Sequence, residues 1–139
     1  MFSLKGKVAI ITGASRGIGR ATAIQLSEAG AQVIISSRNK EDCEKVADEI
    51  KNNGNLAEVI PCHVGRKDEI RNLVKATFDK YNGIDVLVSN AATNPAYGSL
   101  SKLNDKAFDK VMNVNLKSSI WLINEASAYL KKNKSSSVI

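Results

Sequence analysis

The octet Thr12-Gly13-Ala14-Ser15-Arg16-Gly17-Ile18-Gly19 combines residue types that can hold an anion against main chain. Glycine reaches positive φ in a tight turn and carries no Cβ to keep a diphosphate away from the backbone. The first turn of a helix adds free N–H groups and a partial positive charge. The octet sits between the apolar run Val8-Ala9-Ile10-Ile11 and a helical pattern, the strand, turn and helix setting that such chemistry needs. Gly13, Ser15, Arg16, Gly17, Ile18 and Gly19 are therefore predicted to cradle a pyrophosphate. Their spacing is Gly-x-x-x-Gly-x-Gly rather than Gly-x-Gly-x-x-Gly, which lengthens the turn before the helix.

Holding that turn in place requires a sheet, and the periodicity predicts one. Val8 to Ile11 shows no polar alternation, the pattern of a central parallel strand covered on both faces. Ile18, Thr22, Leu26 and Ala29 predict the apolar face of a first helix, ended by Gly30. Gln32 to Ser37 predicts a second strand, and Cys43, Val46, Ala47 and Ile50 mark a second helix that stops near Asn53-Gly54. Ala57 to His63 predicts a third strand. Ile70, Leu73, Val74, Thr77, Phe78 and Tyr81 stripe a third helix ending at Asn82-Gly83, and Ile84 to Ser89 predicts a fourth strand. A polar loop, Asn90 to Lys102, leads to a helical face of Leu103, Ala107, Val111 and Val114, capped by Asn104 or Asp105.

A second helical segment runs on from Leu116. Its stretch Ile120-Trp121-Leu122-Ile123 is apolar nearly all round, which predicts cover on more than one side, part of it from a partner chain. Ser137-Val138-Ile139 reads as the opening of a fifth strand. Strands alternating with helices give right-handed βαβ units. The expected fold is α/β, a Rossmann-type doubly wound parallel sheet of strand order 3-2-1-4 with a fifth strand begun beside the fourth and truncated there. No repeat or linker divides the sequence, so residues 1–139 are read as one domain.

Apolar residues at 43% and charged residues at 24% match a chain that folds in water and exclude a disordered or fibrous class. No run approaches the length of a membrane helix, and no leader pattern opens the chain. Cys43 and Cys62 have neither a disulfide framework nor a C-x-x-C spacing, so a reducing, cytoplasmic setting is expected. Cys62 and His63 are neighbours in a strand and point to opposite faces, so no metal site is expected. The net charge of +6 raises a nucleic-acid partner, but the basic residues are interspersed with acids and aromatics are only 5%, so none is expected.

The octet, together with Ser89-Asn90-Ala91-Ala92 after the fourth strand and Asn113-Val114-Asn115 farther on, resembles the short-chain dehydrogenase/reductase family over the whole chain. Ser36-Ser37-Arg38, Cys62-His63-Val64-Gly65 and Ser89 to Pro95 resemble more narrowly the branch of NADP-dependent carbonyl and retinal reductases and their bacterial relatives. An NAD enzyme usually places an acid at the end of the second strand, where it binds the ribose hydroxyls and repels a 2′-phosphate. Ser37 and Arg38 stand there instead. The resemblance implies that Arg38 and Arg16 clasp the 2′-phosphate of NADP, a task suited to the guanidinium fork.

It also implies that His63 and Val64 meet the adenine. Many family members carry an Asp at the His63 position, and a neutral imidazole could accept the adenine amine in its place. Asn90, Ala91 and Ala92 would brace the turn beside the cofactor ribose, although Ser89 and Ala92 replace the Asn and Gly of the commonest motif. Asn115, in preference to Asn113, matches the asparagine of an Asn-Ser-Tyr-Lys catalytic set, where it interrupts a helix so that a water joins a proton relay. Thr93, Asn94, Pro95 and Tyr97 fall where the family lines its substrate cleft.

The expected proton donor is absent. Carbonyl reduction needs an acid at the oxygen as hydride arrives, and the family uses a tyrosine four residues before a lysine. Tyr81, Tyr97 and Tyr129 are followed at that distance by Asp85, Ser101 and Asn133. The favoured expectation is the NADP(H)-binding part of an oxidoreductase acting on a carbonyl or alcohol, a homo-oligomer when full length, with this chain inactive by itself. The alternative is a non-catalytic NADP(H)-binding protein, or a half-subunit completed by a partner chain. The substrate stays open among 3-oxoacyl thioesters, retinoids, sugars and xenobiotic carbonyls.

Overall fold

Five parallel strands carry the chain: β1 (Val8–Thr12), β2 (Gln32–Ser36), β3 (Ala57–Val59), β4 (Val86–Val88) and β5 (Ser137–Val138). A computed structural model describes residues 2–139 and orders the strands β3-β2-β1-β4-β5, as the alternating pattern predicts. The crossovers are helices α1 (Gly17–Glu28), α2 (Lys40–Asn52) and α3 (Lys67–Tyr81), with α4 (Asp105–Val111) and α5 (Ser118–Leu130) between β4 and β5. The regular ladders are shorter than the apolar runs. The Ile60 and Cys62 N–H groups still donate to Ile35 and Ser37, so the chain beyond β3 stays extended up to the end of β2.

Alternation along β1 divides the core in two. Ile10 faces the layer under α3 and α5, with Ile34, Leu73, Leu87 and Leu122; Ala9 and Ile11 face the layer under α1 and α2, with Val33, Ile35, Val46 and Ile50. Burying each such isoleucine or leucine contributes about 1.5–3 kcal/mol. Cys43 and Cys62 are free and buried in different layers.

Three expectations need correction. The buried face of α1 is Gly19, Ala23 and Ser27, one position out of register with the predicted Ile18, Thr22, Leu26 and Ala29; Ile18 is 79% exposed. Small side chains let α1 lie close to the sheet, while Ile24 and the predicted Leu26 pack half-buried against the same core layer. The predicted pair of helices around Asn115 is instead one continuous run, in which a π-turn (Met112–Lys117) joins α4 to α5. The Asn104 cap at its start is as predicted, accepting the Ala107 N–H at 2.9 Å. Finally, Leu122 is buried as expected, but Ile120 and Ile123 are 49% and 38% exposed. Within this single chain the apolar girdle of α5 is covered on the sheet side, and the cover expected from a partner chain concerns the side left open.

Candidate functional site

At the carboxyl end of β1 the chain turns through Gly13 and Gly17, at φ 65° and 57°, before entering α1. Those values lie in the left-handed region that glycine occupies without strain. Gly19 answers a different need: a Cβ there would collide with the Gly13 carbonyl and come within 2.6 Å of Asn90 Nδ2. Arg16, extended at the N-cap, makes no capping bond, and the first turn of α1 holds no acid. Helix α2 contrasts with it, because Asn39 caps it and Glu41 and Asp42 sit in its first turn. The free N–H groups and positive end of α1 are thus open to an external anion.

Asn90 locks this turn to β4. Its Nδ2 donates to the Thr12 and Gly13 carbonyls at 3.0 and 3.2 Å, while the Asn90 and Ala91 N–H groups donate to Thr12 Oγ1. Thr12 is 1% exposed and was not among the predicted site residues. A hydroxyl closing a strand has no spacing signature, and only the pairing of β1 with β4 reveals it.

At the end of β2, Ser37 turns the chain by accepting the Asn39 N–H, and its hydroxyl lies 3.1 Å from Cys43 Sγ. Burial pushes the Cys43 thiol up. Arg38 follows, and among the described residues neither Arg16 nor Arg38 forms an ion pair. Nearby Asp42 is held by Asn39 and Lys45.

Beyond β3, burial pushes the Cys62 thiol up to about 12, helped by Glu69 and Asp68. The His63 N–H donates to the Glu69 carboxylate at 2.6 Å. This bond first, then Arg66, holds the Glu69 carboxyl below the usual range. His63 Nδ1 accepts the Gly65 N–H at 3.0 Å. The imidazole acceptor that the sequence suggested for an adenine amine is therefore already engaged within the chain.

The π-turn places two asparagines on two different loops. Asn115 Oδ1 accepts the Thr93 N–H at 2.8 Å and its Nδ2 donates to the Thr93 carbonyl at 2.9 Å. Asn113 Nδ2 donates to the Gly65 carbonyl at 3.2 Å. One extra residue in a helical turn rotates such side chains out of ordinary register, and π-turns are frequent at functional sites.

These loops enclose one groove of about 510 Å³, lined by Gly13, Ser15, Arg16, Gly17, Ile18, Ser37, Arg38, His63, Val64, Asn90, Ala91 and Ala92. The size suits a small-molecule cofactor. Of the residues predicted for cofactor binding or catalysis, Gly19 and Asn115 lie outside the lining: Gly19 packs beneath the turn, and Asn115 stands behind Thr93, which is on the wall. Of the other predicted cleft residues, Asn94 and Tyr97 line a separate hollow against Phe108 and Val111, and Pro95 lines neither. Lys110 and Asn39 also line the groove, and no motif pointed to them.

The model of the short chain dehydrogenase family matches residues 7–139. Tropinone reductase-like 3 of Erythroxylum coca is 40% identical over 131 residues, 94% of this chain and 51% of that protein. Dehydrogenase/reductase SDR family member 4 of Mus musculus is 34% identical over 136 residues, 98% of this chain and 49% of that protein. The chain thus spans about half the length of the curated relatives it matches. A solved metagenomic short-chain oxidoreductase in complex with NADP superposes with a TM-score of 0.92 at 32% identity, over 97% of this chain and 61% of that one. With a glycine turn, an Asn90 lock and a π-turn asparagine in that order on a 3-2-1-4-5 sheet, the chain belongs to the short-chain dehydrogenase/reductase family.

Proposed function

We propose that residues 1–139 form the NADP(H)-binding part of an oxidoreductase that exchanges hydride between a nicotinamide and a carbonyl or alcohol substrate. The observation that carries this reading is the pair of unpaired guanidinium groups, Arg16 and Arg38, on the groove wall beside the uncapped start of α1. The residues fit the group. The start of α1 and the glycine turn suit the pyrophosphate, Ser37 and Arg38 suit a ribose carrying a 2′-phosphate, and no acid occupies the Ser37 position to repel it. The NADP-bound relative of the same fold supports the choice.

When bound, the nicotinamide supplies or takes the hydride. The chain's own residues bind and orient. Asn90 fixes the turn against β4, and Asn115 fixes Thr93 on the wall farther along. Proton transfer has no candidate among the three tyrosines. Tyr81 is held by Glu58, and burial and that carboxylate raise it above its ordinary range, opposite to what a proton-delivering tyrosine needs.

The reading predicts saturable binding of NADPH to the 1–139 chain, at least tenfold tighter than NADH, with no reduction of ketone or aldehyde substrates. Nicotinamide fluorescence titration and an NADPH-consumption assay test the two halves. Equal affinity for NADH and NADPH would defeat the cofactor assignment, and turnover would defeat the separation of binding from chemistry.

A further inference from the structure

The strand order lays the carboxyl ends of β1, β2 and β3 side by side along the groove. A dinucleotide whose pyrophosphate lies over the β1 turn and whose ribose reaches Ser37 and Arg38 at β2 extends its base to the segment after β3. His63 and Val64 line the groove there.

The His63 ring is fixed on that wall. The main-chain N–H of His63 is tied to the Glu69 carboxylate, and the ring Nδ1 takes the Gly65 N–H two residues on, as the side-chain oxygen of an Asx-turn would. Gly65 makes the arrangement possible, because a Cβ at that position would come within 2.9 Å of the His63 Cε1 atom. A neutral imidazole has one acceptor nitrogen and one N–H. With Nδ1 accepting, Nε2 carries the hydrogen. A carboxylate in this place could serve the turn with one oxygen and still offer the other to a base. Histidine can offer only a donor.

Resting on the NADP(H) reading above, we propose that the Nε2–H of His63 meets the C6 substituent of the purine rather than a ring nitrogen, so that the groove takes a 6-oxopurine dinucleotide at least as well as the adenine one. Adenine carries an amino group at C6, which is itself a donor and faces Nε2–H unfavourably. Hypoxanthine carries a carbonyl oxygen at C6, which accepts. The base preference is set by which atom of residue 63 remains after the turn is satisfied.

The 1–139 chain is titrated with NADPH and with reduced nicotinamide hypoxanthine dinucleotide phosphate, both followed by nicotinamide fluorescence. The hypoxanthine nucleotide is expected to bind as tightly as NADPH or tighter. His63→Asp keeps the turn acceptor but replaces the donor with an oxygen, and is expected to shift the ratio toward NADPH by about tenfold, the scale of one hydrogen bond. His63→Asn keeps both the acceptor and a donor, and is expected to retain the wild-type ratio. Comparing two nucleotides on each variant cancels the added charge of the aspartate. A wild-type chain that favours NADPH tenfold, or a ratio identical in all three proteins, would overturn the donor assignment alone. No binding of either nucleotide by the wild-type chain would overturn the cofactor reading, and this inference with it.

Discussion

The two ends of the groove are built differently. Over β1 and β2, the turns are closed by short internal bonds and two of the glycines are fixed by contact: Asn90 holds Gly13, Gly13 abuts Gly19, and Ser37 holds Asn39. Beyond β4, the segment from Asn94 to Lys102 is exposed throughout, its turn at Leu100–Lys102 included, with Tyr97 at 90% and Leu100 at 82% exposure. Among the described residues, the hydrogen bonds that tie that side to the helices are the two from Asn115, through Thr93. The end that must hold a fixed, charged diphosphate is preorganised by main-chain contacts that tolerate no added atom. The other end is a loop hung on one clasp.

The largest effect is expected where the first region is tightest. Gly19→Val places its Cβ against the Gly13 carbonyl, which cannot retreat without moving the turn. NADPH affinity should fall by more than about a hundredfold and stability by about 1–3 kcal/mol, read by titration and urea unfolding. Tyr97→Ala, on the exposed side, should leave NADPH affinity within about twofold. Equal losses from both would erase the distinction between the two ends.

Next in size are the arginines. Arg38→Ala and Arg16→Ala should each weaken NADPH by about ten- to a hundredfold, as loss of a charge-assisted bond implies, while leaving NADH unchanged. If both nucleotides weaken together, the side chains support the fold rather than read the phosphate.

A smaller effect is expected of Asn115→Ala. Losing both bonds to Thr93 should cost about 1 kcal/mol and speed amide hydrogen exchange in residues 93–102, with NADPH affinity changed less than about threefold. Protection unchanged in that loop would mean that something else secures it.

The smallest effect concerns Glu69, whose carboxylate is held low by the His63 N–H and then by Arg66. A depressed carboxyl stabilises the fold above its unfolded value and loses that stabilisation as pH falls through its folded value. Glu69→Gln should therefore be less stable than the parent at neutral pH, with the gap closing below about pH 4, measured by thermal unfolding across that range. A gap independent of pH would point to packing rather than charge.

Much of this was legible in the sequence for physical reasons. The strands are apolar because both sheet faces are covered, and α2 and α3 carry wide stripes, so their positions follow from periodicity. The α1 face was misplaced by one residue because Gly19, Ala23 and Ser27 make the contact through smallness. The groove lining was legible wherever a motif carried it, in the glycine turn, Ser37-Arg38 and Asn90-Ala91-Ala92. The bonds by which Thr12, Glu69 and Asn113 hold that lining from behind were not, since each reaches a partner far away in sequence or is a local bond that no spacing encodes. The form of the π-turn was silent in the periodicity, because one added residue leaves the apolar pattern of α4 and α5 nearly intact; only the resemblance put a helix interruption at Asn115.

The pairing of β1 with β4 also sets an order of events during folding. The Val8 N–H bonds the Asp85 carboxylate across 77 residues of sequence, and Thr12 Oγ1 receives the Asn90 N–H across 78. Closing so long a loop is entropically late compared with the local β1–α1–β2 unit. An intermediate containing only that unit has its glycine turn but nothing to hold it, so the ability to clasp a nucleotide arises in one step when β4 docks. Ligand added during refolding should then capture molecules only after that step, and leave the rate of reaching it unchanged.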